Sequence, residues 1–131
     1  MSDPIILTPE NIAQYREQFS QNNQKDALYA LEIIEAVGGD VTHAASMLAP
    51  RYGIYNLGSK SVPNILEELA NKLRNIVCDE EFIEQVMKGL LSAAVASLCA
   101  TGQIPEAVAA PLVIYLAKKG IQKWCNSQSQ E

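Results

Sequence analysis

His43 is the single histidine of the chain, so a catalytic triad or a histidine metal site would have to be built around it. It stands in VTHAASML, one residue after Thr42, which places it on the outer face of a helix start. No GxSxG elbow accompanies it, and no cysteine sits in a catalytic motif. Carboxylates recur as Glu32-x-x-Glu35, Glu67–Glu68 and Glu81-x-x-Glu84. A di-iron bundle needs Glu together with Glu-x-x-His on inward faces, and no Glu here is followed by His at that spacing. These pairs read instead as solvated helix faces, with Glu81 and Glu84 matching the positive end of a helix dipole. The glycines fit neither GxGxxG nor GxxxxGK[ST], so no phosphate loop is indicated. Cys78, Cys99 and Cys125 are odd in number and widely spaced. They match no zinc pattern, CxxC pair or disulfide framework, and read as free, mostly buried thiols in a reducing cytoplasm. The expectation is a chain without catalytic residues, metal, cofactor or small-molecule ligand, and hence not an enzyme.

The remaining candidates are binding residues. Arg51, Tyr52, Tyr55 and Lys60 lie on PRYGIYNLGSK, the longest stretch without a clear period. Tyr and Arg are over-represented at interface hot spots, so these four form the candidate partner-binding set. The alternative is that this segment folds over the helices and buries Ile54, Leu57 and the tyrosine rings. Tyr15, Phe19, Tyr29, Phe82, Tyr115 and Trp124 fall at helical positions and read as core.

The elements that must position them are helical throughout. Thr8 caps a first helix, with Pro9 at its first position and Ile12, Tyr15 and Phe19 on one face. A second runs from about Asp26 to Val37 and stops at Gly38–Gly39. Asp40 or Thr42 caps a third, which Pro50 ends. Ser61 caps a fourth that continues to Val77, with Ile65, Leu66, Leu69, Leu73, Ile76 and Val77 at three- and four-residue steps. Asp79 opens a fifth that ends near Gly102. A last helix spans about Pro105 to Asn126, and Pro111 inside it either kinks it or marks a second start.

From Gly89 to Ala117 the only charged residue is Glu106. Helices that are apolar on nearly all sides belong in a core or a membrane. Each apolar run is shorter than the roughly 20 residues that a bilayer span requires. The predicted fold is therefore all-α: a compact bundle of five to six helices around a buried apolar C-terminal helical hairpin. The 131 residues suit one domain, 1–131, with flexible ends at 1–7 and 127–131.

The segment LEIIEAVGGDVTHAASML, Leu31 to Leu48, resembles the first two helices of Fis-type helix-turn-helix proteins. There a Gly-Asn or Gly-Asp turn precedes Val-Thr, and an Ala-Ala pair packs the second helix. The resemblance covers about eighteen residues and implies two packed helices followed, after three or four residues, by a recognition helix. Here PRYGIYNLGSKS intervenes. The next helix carries Glu67 and Glu68 against only Lys72 and Arg74, a poor match to a phosphate-lined groove.

The net charge of −5, with ten basic residues among fifteen acidic, argues against nucleic acid as a partner. A membrane partner is disfavoured by the lack of a basic amphipathic helix. The start, MSDPIILTPEN, lacks the basic and apolar regions of a signal peptide, so a cytoplasmic location is expected. The sequence thus points to a small acidic helical interaction or adaptor module that works through a protein partner or by self-association as a homo-oligomer. Two alternatives stay open: a DNA-associated regulator using residues 31–48, and a membrane-active hairpin at 89–117.

Overall fold

The computed structural model describes residues 5–54 and 64–128. These form nine α-helices: α1 Pro9–Gln21, α2 Lys25–Ala36, α3 Val41–Arg51, α4 Ile65–Lys72, α5 Arg74–Val77, α6 Glu80–Met87, α7 Leu91–Ala100, α8 Glu106–Lys119 and α9 Ile121–Gln128. No strand occurs among the described residues; the one β feature is an isolated bridge between Ile6 and Asp40.

One arm of the predicted apolar hairpin, α8, is the centre of the bundle; the other, α7, buries Leu91, Ala94, Val95 and Leu98 and leaves Ala93, Ala96 and Ala100 exposed. α7 and α8 pack against each other, and α8 also packs against α2, α3, α4, α6 and α9. Every residue of α8 from Ala107 to Leu116 is buried. Removing each such Val, Leu or Ile from water is worth about 1.5–3 kcal/mol, which is why the remaining helices gather round this one. Pro111 neither breaks nor restarts it. The helix runs unbroken through the proline to Lys119 and ends at Gly120, whose left-handed backbone (φ 89°) lets its N–H reach Leu116 O at 3.0 Å. The predicted last helix is therefore divided at Gly120.

Three other predicted boundaries are corrected. The third helix does not end at Pro50 but includes it and closes at Arg51. The fourth is divided at Leu73, where the backbone leaves helical geometry between α4 and α5. Its cap is Asn64, whose Oδ1 accepts from Leu66 N–H and Glu67 N–H; Ser61 lies outside the described residues. The fifth is divided at Gly89, also left-handed, into α6 and α7.

Side chains settle the helix starts. Thr8 and Asn11 exchange a reciprocal pair of capping bonds at 3.1 and 3.2 Å. Asp40 caps α3 through His43 N–H, and Asp79 caps α6 through Glu81 N–H. α7 has no cap of its own, because Leu90 stands in that position. Gln18 of α1 supplies it instead: its Oε1 accepts from Leu91 N–H and Ser92 N–H, and its Nε2 donates to Gly89 O. Beside it Gln24 and Ser92, both buried, satisfy each other with two hydrogen bonds.

Of residues 1–7, the described ones, 5–7, pair with the backbone at the start of α3. Leu7 is buried, its N–H donates to Gly39 O at 2.8 Å, and Val41 N–H donates to Ile5 O at 3.1 Å.

The cysteine reading is also overturned. Cys78, at the end of α5, is bonded to Cys125 on α9, 47 residues away, and only Cys99 is free. The pairing is set by tertiary contact, so no local spacing reveals it. It removes the free-thiol argument for a reducing compartment.

Candidate functional site

Arg51 closes α3 and is exposed, and its guanidinium donates to the Tyr29 hydroxyl on α2. Tyr52 follows as the C-cap and is half-buried. Burial first, and then the Asp26 carboxylate, push its phenol above the ordinary value. The structure thus brings Arg51, Tyr52 and Tyr29 to one edge, where the end of α3 meets α2. Tyr55 and Lys60, the other two predicted binding residues, lie outside the described residues. So does Leu57, while Ile54 is partly buried against the core.

The few charges near the core are engaged by the fold. α2 lacks a side-chain cap of its own, since Gln24 makes none. Glu106 reaches across from α8 instead, and its Oε2 accepts from Ala27 N–H at 2.9 Å. Cys99 lies half-buried on α7. Burial, followed by Glu106 and Asp26, pushes its thiol up to about 11. It is held as the thiol at neutral pH, the wrong form for a nucleophile or a metal ligand.

A second polar group joins α4, α8 and α9. Glu67 accepts the Tyr115 hydroxyl on Oε2 at 2.5 Å and the Trp124 indole N–H on Oε1 at 2.6 Å. Asn64 Nδ2 donates to the same Tyr115 hydroxyl at 3.3 Å. The Arg74 guanidinium stands 6.0 Å from the centre of the Trp124 ring, within cation–π range. Burial, with the bond to Glu67 second, raises the Tyr115 phenol well above its usual value. A carboxylate with a donor on each oxygen is held for structure rather than poised as an acid or base. Sequence reasoning took Glu67 as a solvated face residue and the two aromatics as core. No signal within α4 announces partners on α8 and α9.

His43 is exposed on the first turn of α3, as expected. Among the described residues no three His, Cys, Asp or Glu side chains stand close enough together to hold a metal ion.

What the fold does not absorb is apolar. Met87 is 60% exposed at the end of α6, and Leu90 is 50% exposed in the cap position of α7. Met87 lines an open groove of about 650 Å³ with Ile83, Glu80, Glu81, Glu84, Lys88 and Gln122. Leu90 lines a neighbouring groove of about 600 Å³ bounded by α1 and α7. No helix among the described residues is long and apolar enough to cross a membrane. No protein-family model, curated protein or solved structure matches this chain.

Proposed function

We propose that this chain is a non-catalytic helical interaction module that works by docking a protein partner. One observation carries the reading: two large apolar side chains, Met87 and Leu90, are the most exposed of their kind beside Ile6 and Met47, and these two stand together in sequence at the junction of α6 and α7, each lining a groove. Leu90 occupies a cap position where Ser, Thr, Asp or Asn would bond the helix start, and Gln18 does that work from another helix. Apolar side chains grouped on a surface mark protein-binding sites, whereas single ones do not, and Met87 and Leu90 are only three positions apart. Affinity capture from the native host, with the partner identified and its binding reconstituted from purified components, tests the reading. A strict monomer that retains no partner in reconstitution overturns it.

The edge formed by Arg51, Tyr52 and Tyr29 is a second candidate surface, favoured by the exposed guanidinium held beside a phenol. Capture with Arg51→Ala/Tyr52→Ala separates the two surfaces. The DNA-associated reading draws support from the packing of α2 on α3 across Gly38–Gly39. Residues 52–64 separate α3 from α4, and α4 carries Glu67 and Glu68. A duplex-binding assay at low salt tests it, because even non-specific readers bind there. The membrane-active reading requires α8, buried over residues 107–116, to leave the core; liposome flotation tests it.

A further inference from the structure

We infer that the groove between α6 and α9 receives a basic amphipathic helix of the partner protein. The inference rests on the interaction-module reading and names the partner's chemistry.

Three features of the groove carry it. Its floor is apolar: Ile83 and Met87 lie one helical turn apart on α6, and both line it. Its walls are acidic. Glu80, Glu81 and Glu84 line the same groove against a single cation, Lys88, which already pairs with Glu84 at 3.2 Å. Helix-dipole matching accounts for Glu80 and Glu81 being at the start of α6. It does not remove their negative field from the groove, because both are exposed. Third, the groove lies between two helices, and the described residues offer no open strand edge on which an extended peptide could add. The lining holds no aromatic residue to seat a polyproline segment and no arginine cluster to seat a phosphorylated one, whereas helix-in-groove docking needs what is here, apolar anchors on one face and charge on the flanks. The flanking charge that fits is Lys or Arg. An acidic partner, or an anionic lipid surface, meets three carboxylates with one paired ammonium.

The test uses the full chain and a synthetic Leu/Lys peptide with leucines at helical spacing. Two control peptides accompany it: one of the same composition with leucines scattered, and one with Glu in place of Lys. Binding is read by fluorescence anisotropy, and the contact surface by amide shifts in NMR spectra. The spaced Leu/Lys peptide binds, the two controls bind at least tenfold more weakly, and the shifts centre on α6 and Gln122. Met87→Gln lowers affinity about tenfold or more. Glu80→Gln/Glu81→Gln lowers it several-fold and flattens its salt dependence. Met87 is exposed at the end of α6 and Gln is neutral with a similar helix propensity, so Met87→Gln keeps its circular dichroism and melting curve. Absence of peptide binding, equal binding by Met87→Gln, equal binding of the Leu/Glu peptide, or shifts centred elsewhere overturns the inference. So does a Met87-dependent dimer, which would make a second copy the occupant, or Met87-dependent flotation on phosphatidylglycerol vesicles. Failure of the groove and failure of the module reading give different results. An identified partner that binds wild type and Met87→Gln alike leaves the module and removes the groove. A strict monomer with no reconstituted partner removes both.

Discussion

Trp124 on α9 donates its indole N–H to Glu67 on α4 across 2.6 Å, so one carboxylate ties the last described helix to the middle of the chain. Its second oxygen holds Tyr115 of α8. Glu67→Ala leaves an indole N–H and a phenol without their acceptor. A buried group left unpaired costs about 1–3 kcal/mol, so the expected loss is about 2–4 kcal/mol in urea unfolding. Glu67→Gln keeps one oxygen and should lose clearly less. Equal loss in both variants would mean that the acceptor geometry is not what matters.

The alkaline limb of stability follows from the raised Tyr115 and Cys99. A group whose folded pKa is raised binds its proton more tightly in the native state. Its stabilisation is complete below the unfolded value and drains away as pH rises past it. Cys99 begins this near its ordinary 9.0 and Tyr115 near its ordinary 10.0. Unfolding free energy should therefore be level from pH 7 to about 8.5 and fall progressively above that. Cys99→Ala should delay the onset towards pH 10, and Tyr115→Phe should shallow the later fall. A profile that stays level to pH 11 would contradict both assignments.

The parts of this molecule that were legible in the sequence are those whose cause is local. The steps of Ile12, Tyr15 and Phe19, the caps Thr8 and Asp79, and the stop at Gly38–Gly39 all operate within a few residues, and each appears where the sequence puts it. The near-neutral stretch from Gly89 to Ala117 told of a core because burial excludes charge, and α8 is buried from Ala107 to Leu116, although α7 keeps one face exposed. Three breaks were missed because the apolar period continues across Leu73, Gly89 and Gly120, in the last two hiding a left-handed turn in an unbroken pattern. Pro111 misled in the other direction, since α8 runs through it. What could not be read is non-local. Gln18 caps a helix start 73 residues away, Glu67 meets Trp124 57 residues away, and Cys78 meets Cys125 only once α9 has docked. The candidate surface was missed for a related reason. Leu90 continues the apolar stripe of Phe82, Ile83 and Val86 in the sequence, and only packing reveals that it and Met87 are left half or more exposed.

Cys99 should react slowly with disulfide reagents while the protein is folded. Raising its value from 9.0 to about 11 leaves about a hundredfold less thiolate at pH 8, before any steric shielding by α7 and its neighbours. Ellman's reagent in native buffer should therefore modify one slow thiol per chain, and a burst of reactivity should appear on adding denaturant. A fast native reaction would show that Cys99 sits in a more polar environment than α7 provides.

Gly38 and Gly39 are adjacent, both left-handed, and should differ sharply in tolerance. A Cβ on Gly38 meets nothing within 4 Å, whereas one on Gly39 would stand 2.5 Å from the backbone oxygen of Leu7. Gly38→Ala should cost only the left-handed penalty, about 1–2 kcal/mol. Gly39→Ala carries the same penalty and must also push away the Ile5–Leu7 segment, whose bonds run to Gly39 and Val41. About 3 kcal/mol or more is expected. Equal costs in thermal melts would show that the N-terminal segment yields freely.

The bond between Cys78 and Cys125 should be the largest single covalent contribution to stability. It closes a loop with a sequence separation of 47 residues. The chain-entropy treatment gives about 4 kcal/mol for a loop of that length, and real proteins deliver somewhat less. A loss of about 3 kcal/mol corresponds to a fall of about 10 °C in melting temperature for a domain of this size. Reduction should not unfold the chain outright, because Ile121 and Trp124 remain buried and Glu67 still holds the indole. It should instead loosen α9 first, since the bridge is its only covalent tie to α5. Hydrogen exchange on reduced protein should therefore rise in α9 well before α8. Cys78→Ser/Cys125→Ser should reproduce both the lowered melt and the selective exchange without any reductant. If the oxidised and reduced forms, verified by mass, melt together and exchange alike, the bridge adds nothing that the packing of Trp124 does not already supply.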